Sequence, residues 1–182
     1  MARTGRPFVD RLRIMDAYQA VVSKRDTRKY LDDPIASGVL ERILNAARMA
    51  GSGKNRQSGR MVVITDTEQQ RALGASGDFC DWIHEAPVVV AFAIAEEGGV
   101  RPHFDIGRMA QNAMIVATAE GLASCPVTIN RPEQARAALG MPDGWDVPMA
   151  VTIGHGPPVD PNRRSYPRIP LSEVVHWGTW TE

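Results

Sequence analysis

DIGRMAQNAMIVATAEGL, residues 105–122, is the stretch on which the architecture turns. Ile106, Met109, Ala110, Ala113, Met114, Ile115, Val116, Ala117 and Leu122 wrap most of the way around a helical period. A helix with so little polar face is buried in the middle of a structure rather than laid on its surface. Asp105 is the expected cap and residues 106–122 the helix. Before it, EEGGVRP (96–102) reads as a loop, and before that PVVVAFAIA (87–95) is a nearly continuous apolar run. Such a run predicts a central strand covered on both faces. VPMAVTIGH (147–155) is a second buried strand, MVVIT (61–65) a shorter one, and SCPVTI (124–129) a strand or strand-like turn.

The flanks supply helices. Ile14, Ala17, Tyr18, Val21 and Val22 recur at helical spacing and predict a helix over 12–23. After the turn at Asp32-Asp33-Pro34, Ser37 is the expected N-cap of a helix with Val39, Leu40, Ile43, Leu44 and Ala47 on one stripe, ending near Gly51. GSGKNRQSG (51–59) is too rich in glycine and polar residues for a strand or helix. Shorter helices are expected at 67–73, 78–85, Pro132–Leu139 and Leu171–Trp177, and PPVDPNRRSYPRIP (157–170) is an extended arm that cannot be helical. Helices first, then strands alternating with helices, give the α+β class: a central sheet flanked by helices and packed on one buried helix. No repeat or internal boundary interrupts the pattern. Residues 1–12 read as a basic N-terminal tail and 13–182 as one domain.

The chain has 182 residues, 43% apolar and 23% charged, enough for one domain with a substantial core. Its 21 basic and 21 acidic residues balance, so nothing global draws it to nucleic acid or an anionic membrane. No apolar run approaches the roughly 20 residues of a membrane span. The basic start has no apolar stretch behind it and is no secretory signal. Cys80 and Cys125, with the scattered His84, His103, His155 and His176, fit no metal spacing. One disulfide between them is conceivable, but two reduced, partly buried thiols of a cytoplasmic protein are the preferred reading. Neither a Gly-x-Ser-x-Gly elbow nor a Gly-x-Gly-x-x-Gly after a strand is present, so hydrolase and Rossmann readings fall away.

Against this neutral background, SKRDTRKY (23–30) is conspicuous. Lys24, Arg25, Arg28 and Lys29 crowd around Asp26. Like charges so close repel unless solvent screens them or an anion sits among them. A solvated turn is the ordinary fate of such a run; a phosphate is the alternative.

Several stretches, in order along the chain, resemble the FMN-dependent nitroreductase family. KRDTRKY is similar to that family's opening Arg-Arg-Ser-x-Arg-x-Phe. ILNAARMA leading into GSGKNRQ resembles its Ala-Ala-x-x-Ala-Pro-Ser-x-x-Asn-x-Gln-Pro-Trp. DIGRMAQNAMIVATAEGLAS resembles its central helix, Asp-x-Gly-x-Ala-x-Gln-Asn-Leu, and IPLSEVVHW its C-terminal Arg-x-Pro-Leu-Glu-Glu-Val-Val. The resemblance implies an intertwined α+β homodimer with FMN in clefts between the subunits. It assigns Lys24, Arg25 and Arg28 to the flavin phosphate and ribityl chain, with Tyr30 at the apolar position and Arg168, or Arg163 or Arg164 in its place, completing the phosphate site. Charge-assisted donors on a turn after a helix suit a phosphate dianion.

Asn55 and Gln57 fall near the flavin and its ribityl tail. Pro126, Val127, Thr128 and Ile129 fall where backbone groups approach the isoalloxazine ring and one N–H reaches N5. Asp26 stands where the family has serine, either orienting Arg25 or Arg28 or using only its backbone. Ser58-Gly59 replace the family's Pro-Trp: either the cleft is wider, or a neighbour such as Trp82 or Tyr30 fills the space.

The resemblance implies an NAD(P)H oxidoreductase passing electrons through FMN to an electron-poor acceptor of nitroaromatic or quinone type, with no catalytic acid, base or nucleophile and no metal, because the cofactor carries the chemistry. Two alternatives stand beside it. One is a same-fold FMN oxidase or dehydrogenase of a biosynthetic pathway, or a flavin-fragmenting enzyme like dimethylbenzimidazole synthase, in which an Arg-Arg-Asp variant also occurs. The other is a non-catalytic flavin-binding protein.

Overall fold

The computed structural model describes residues 15–95, 101–158 and 167–180. The expected tail, 1–12, and Arg163 and Arg164 lie outside the described residues. Four strands, β1 (Arg60–Ile64), β2 (Val88–Ala95), β3 (Ala123–Thr128) and β4 (Trp145–Gly154), form one sheet in the order β1-β2-β4-β3. Every pairing in it is antiparallel, and β1 and β3 are the edges. The apolar run of β2 is buried at every position from Val88 to Ile94, as a strand covered on both faces requires.

Successive side chains of a strand point to opposite faces, so β2 serves two cores at once. Val88, Val90, Phe92 and Ile94 pack with α2 (Ser37–Arg48) and α4 (Arg101–Ala119). Val89, Ala91 and Ala93 face Leu73 of α3 (Thr67–Gly74), Ile83, and Ala135 of α5 (Pro132–Leu139). Ile43 and Ala47 carry the buried stripe of α2. The Arg42 guanidinium of α2 grips Glu120 with two bonds of 2.8 Å, and Asn112 donates to the Ala46 carbonyl. Between them these contacts fix α2 antiparallel along α4.

Several expected boundaries move, each for a local reason. α1 is Ala17–Ser23, because the Asp16 carboxylate accepts the Gln19 N–H at 2.8 Å and caps the helix there. Ala36, not Ser37, occupies the N-cap of α2, without a side-chain cap. α4 starts at Arg101, so Asp105 is inside the helix rather than its cap, and residues 101 and 102 are helical rather than loop. Proline at the second position of a helix costs nothing, since the N–H it lacks is unpaired there anyway. α4 ends before Leu122: Gly121, at φ +77°, donates to Thr118, and Leu122 donates to Ala117 at 2.8 Å. That paired arrangement is a Schellman stop, which turns the chain straight into β3. The helix expected at 78–85 is reduced to a 3-10 turn at Ile83–Glu85, and the one at 171–177 to α6 (Leu171–Val174).

Candidate functional site

The basic segment lies along the outer edge of β3. Asp26 forms a parallel bridge with Ser124, the Thr27 N–H donates to the Ser124 carbonyl at 3.1 Å, and Leu31 donates to His155 at 2.8 Å. The Tyr30 hydroxyl bonds the Thr27 carbonyl (2.7 Å) and Thr152 Oγ1 (2.6 Å), anchoring the far end of the segment to β4. Burial pushes the Tyr30 phenol well above its ordinary range, opposed by the Thr152 bond.

Among the described residues, each cation in the cluster except the exposed Lys29 has a protein partner. Lys24 pairs with the Asp26 carboxylate, so Asp26 uses its side chain as well as its backbone. Arg25 Nη1 donates to the carbonyls of Val22 and Lys24 at 2.8 Å, closing the C-terminal end of α1. The Arg28 guanidinium carbon stands 5.6 Å from the centroid of the Trp82 ring, and Arg28 also lies near the buried Cys125 thiol. Desolvation raises that thiol's pKa, and Arg28 is the largest influence opposing it. The guanidinium of Arg25 and that of Arg28 are exposed and keep N–H groups to spare.

The same edge of β3 carries the backbone expected at the ring. In an antiparallel pair, alternate residues turn their N–H and C=O toward the partner and the others turn them away. Ile129 donates to Pro148 at 3.1 Å, which places Val127 and Cys125 inward toward β4 and Ser124, Pro126 and Thr128 outward. The outward carbonyls of Ser124 and Thr128 accept from Thr27 and from Cys80 Sγ (3.3 Å), in agreement. Pro126 has no N–H. Of Pro126–Ile129, Thr128 therefore supplies the N–H that faces the open edge, and Thr128 is itself exposed.

Asn55 and Gln57 are elsewhere. Their loop begins at Gly51, whose carbonyl accepts from Arg108 Nη1 at 2.8 Å, and runs into β1, the opposite edge of the sheet. Lys54, Asn55 and Gln57 all have positive φ (54°, 53° and 50°), a left-handed conformation costly for side chains other than glycine. The Ser52 hydroxyl accepts the Gln57 N–H at 2.8 Å and holds that shape. A cleft of about 430 Å³ opens beside it, lined among others by Gly51, Phe104, Gly107, Arg108, Gln111 and Asn112. Gly59 faces no void: a Cβ there would meet Met109 Sδ at 2.5 Å and Ile106 Cδ1 at 3.1 Å. Met109 and Ile106, not Trp82 or Tyr30, occupy the space beside Gly59. Arg168 is exposed and makes no hydrogen bond or ion pair among the described residues.

Three strands of spacing separate the two groups, roughly 14 Å across a packed sheet. One protomer thus brings Lys24, Arg25, Asp26, Arg28 and Pro126–Ile129 together on one edge, and holds Asn55 and Gln57 at the other. Trp82 was not among the expected site residues: a lone tryptophan in a short polar stretch gives no periodic signal, and only the tertiary fold sets it over Arg28.

A family model for the nitroreductase family matches residues 21–76 and 76–155. The chain belongs to the nitroreductase family. An NADH dehydrogenase of Thermus thermophilus is 31% identical to this chain over 91% of its length and 98% of the relative's. An FMN reductase [NAD(P)H] of Bacillus subtilis is 25% identical, over 91% of this chain and 74% of that protein. Among solved structures, nitroreductase A from Vibrio parahaemolyticus superposes with a TM-score of 0.81 at 26% identity, covering 92% of this chain and 78% of that one. Both segments of the family match take in the β3 edge: the first holds residues 24–28, the second Pro126–Ile129.

Proposed function

We propose that this protein binds FMN along the outer edge of β3, takes electrons from NAD(P)H and delivers them to an electron-poor acceptor of nitroaromatic or quinone type. At the level its relatives share, the chain is an FMN-dependent NAD(P)H oxidoreductase. The observation that carries the reading is the common edge: the cations of 24–28 and the outward Thr128 N–H lie on one side of one strand. Ser124 and Thr128 are four residues apart, roughly 13 Å of strand, which suits a ligand with an anionic end and a flat hydrogen-bonding end. These residues fit the cofactor.

Arg25 and Arg28 would hold the phosphate and ribityl chain through charge-assisted bonds, with Lys24 beside them. The Thr128 N–H would meet the ring edge, and the rigid strand behind it fixes the direction of approach. Bound FMN would supply the redox chemistry, two-electron transfer between a nicotinamide donor and an acceptor. The protein's part is to bind, orient and exclude water, so no side chain is assigned as acid, base or nucleophile.

Asn55 and Gln57 reach the flavin only from a second copy of the chain, since the sheet stands between them and residues 24–28 of their own protomer. A homodimer would also cover the arm at 167–180, where Ile169, Leu171, Val174, Trp177 and Trp180 are all exposed. No described helix is long and apolar enough to cross a membrane. The two buried free thiols, Cys80 and Cys125, suit a reducing cytoplasmic setting.

Steady-state NAD(P)H oxidation with and without nitroaromatics and quinones tests the acceptor. Turnover stimulated by these acceptors is expected. Tight flavin binding with no reduction by NAD(P)H would favour an oxidase or dehydrogenase working in the other direction.

A further inference from the structure

We infer that Trp82 is a positioning residue for the flavin site, holding the Arg28 guanidinium against β3 in the orientation that meets the cofactor. The inference rests on the assignment of Arg28 to FMN and extends it to a residue outside both the basic segment and β3.

Trp82 is pinned on two sides. Its indole N–H donates to the Phe79 carbonyl at 2.8 Å, and its ring packs on the core formed by Ile83, Val127 and Ala135. The ring face is left to Arg28, 5.6 Å away. A guanidinium that close to an indole face is attracted by the ring quadrupole. That attraction holds a long side chain with many rotamers in one direction, over the ring and beside the strand. An unconfined arginine would lose that freedom on binding a ligand; one already confined has less left to lose. The three neighbouring cations, Lys24, Arg25 and Lys29, make such confinement more useful, since their repulsion drives an unheld Arg28 toward solvent.

The test is a double-mutant cycle on FMN affinity of the full-length apoprotein, titrated with FMN by fluorescence. Trp82→Met keeps an apolar side chain without a ring face, and Trp82→Phe restores a ring. Trp82→Met should weaken FMN binding about 3- to 10-fold. Trp82→Phe should recover most of the loss, and Trp82→Met should cost nothing further once Arg28→Ala is present. A purely structural tryptophan would instead give losses that add to Arg28→Ala. Additivity, or wild-type affinity in Trp82→Met alongside a weakened Arg28→Ala, overturns the role of Trp82 and leaves Arg28 in the site. Wild-type affinity in Arg28→Ala overturns the assignment of Arg28 itself, and this inference with it. If Trp82→Met does not fold by circular dichroism, Trp82→Leu takes its place in the cycle: a loss that vanishes in the Arg28→Ala background supports the inference, and a wild-type or additive value overturns it.

Discussion

The backbone N–H of Thr27 donates to the carbonyl of Ser124 at 3.1 Å, joining a segment dense in positive charge to the edge of the sheet. Through that bond and the Asp26–Ser124 bridge the stretch 24–28 is tied beside β3, with its arginines still exposed. Its charges are placed by backbone geometry, and its side chains are distributed among an acid, helix carbonyls and an indole ring.

Removal of either exposed guanidinium should weaken the cofactor complex. Arg28→Ala deletes a charge-assisted contact worth roughly 1.5–3 kcal/mol, or about one to two orders of magnitude in FMN affinity. Arg25→Ala should behave likewise. Both are read by flavin fluorescence titration; full flavin occupancy and unchanged affinity in both variants would return the cluster to ordinary surface.

Tyr30→Phe should cost about 1–2 kcal/mol at neutral pH, because the Thr27 carbonyl and Thr152 Oγ1 lose a partner at a half-buried position. The pH dependence has a definite sign. Burial raises the folded-state pKa of Tyr30 above its unfolded value of about 10. The stability linked to it is thus complete below about pH 10 and is lost as pH rises through the higher folded value. Thermal unfolding of the wild type should fall away from that of Tyr30→Phe above about pH 10, and parallel curves would contradict this.

Gly77 touches the ring end of the site. A Cβ there would stand 2.7 Å from the Thr128 carbonyl oxygen and against Cys80 Sγ. Gly77→Ala should therefore cost about 1–3 kcal/mol of stability by overpacking, and it should weaken FMN binding by shifting Thr128. A melting temperature and flavin affinity equal to wild type would mean that Cys80 swings clear and the strand does not move.

The uncovered arm gives an assembly prediction. Trp177 and Trp180 are 91% and 80% exposed, and surface of that kind is buried in a stable complex. Light scattering should report a species of twice 19.9 kDa. A stable single-chain mass at micromolar concentration would contradict the shared-site geometry.

Much of this was legible from residue order. The apolar run 87–95 and the stripe of α2 announced themselves because burial on both faces, or along one stripe, leaves a periodic trace. The ends of α4 did not. Pro102 looks like a breaker but suits a first turn, and Leu122 continues the apolar pattern while serving as the contact beyond a Schellman stop. In the site, the basic cluster was visible as charge. Its pairing with β3 and the singling out of the Thr128 N–H depend on strand register, which a one-residue slip would reverse. The division of the expected residues between two sheet edges was equally hidden, because distance along a chain says nothing about which edge a loop serves. The small Ser58-Gly59 pair suggests an opening, but Met109, distant in sequence, fills the space beside Gly59.

The most direct test of the central claim is an anaerobic titration of the purified protein with FMN, followed by addition of NADH or NADPH while the flavin absorbance is recorded. Saturable binding of one FMN per chain, then bleaching of the bound flavin by a nicotinamide donor and recovery on adding a quinone or nitroaromatic, is the predicted result. A protein that takes up no FMN, or holds it without any bleaching by either donor, would contradict the assignment of the β3 edge to an NAD(P)H-dependent flavin site.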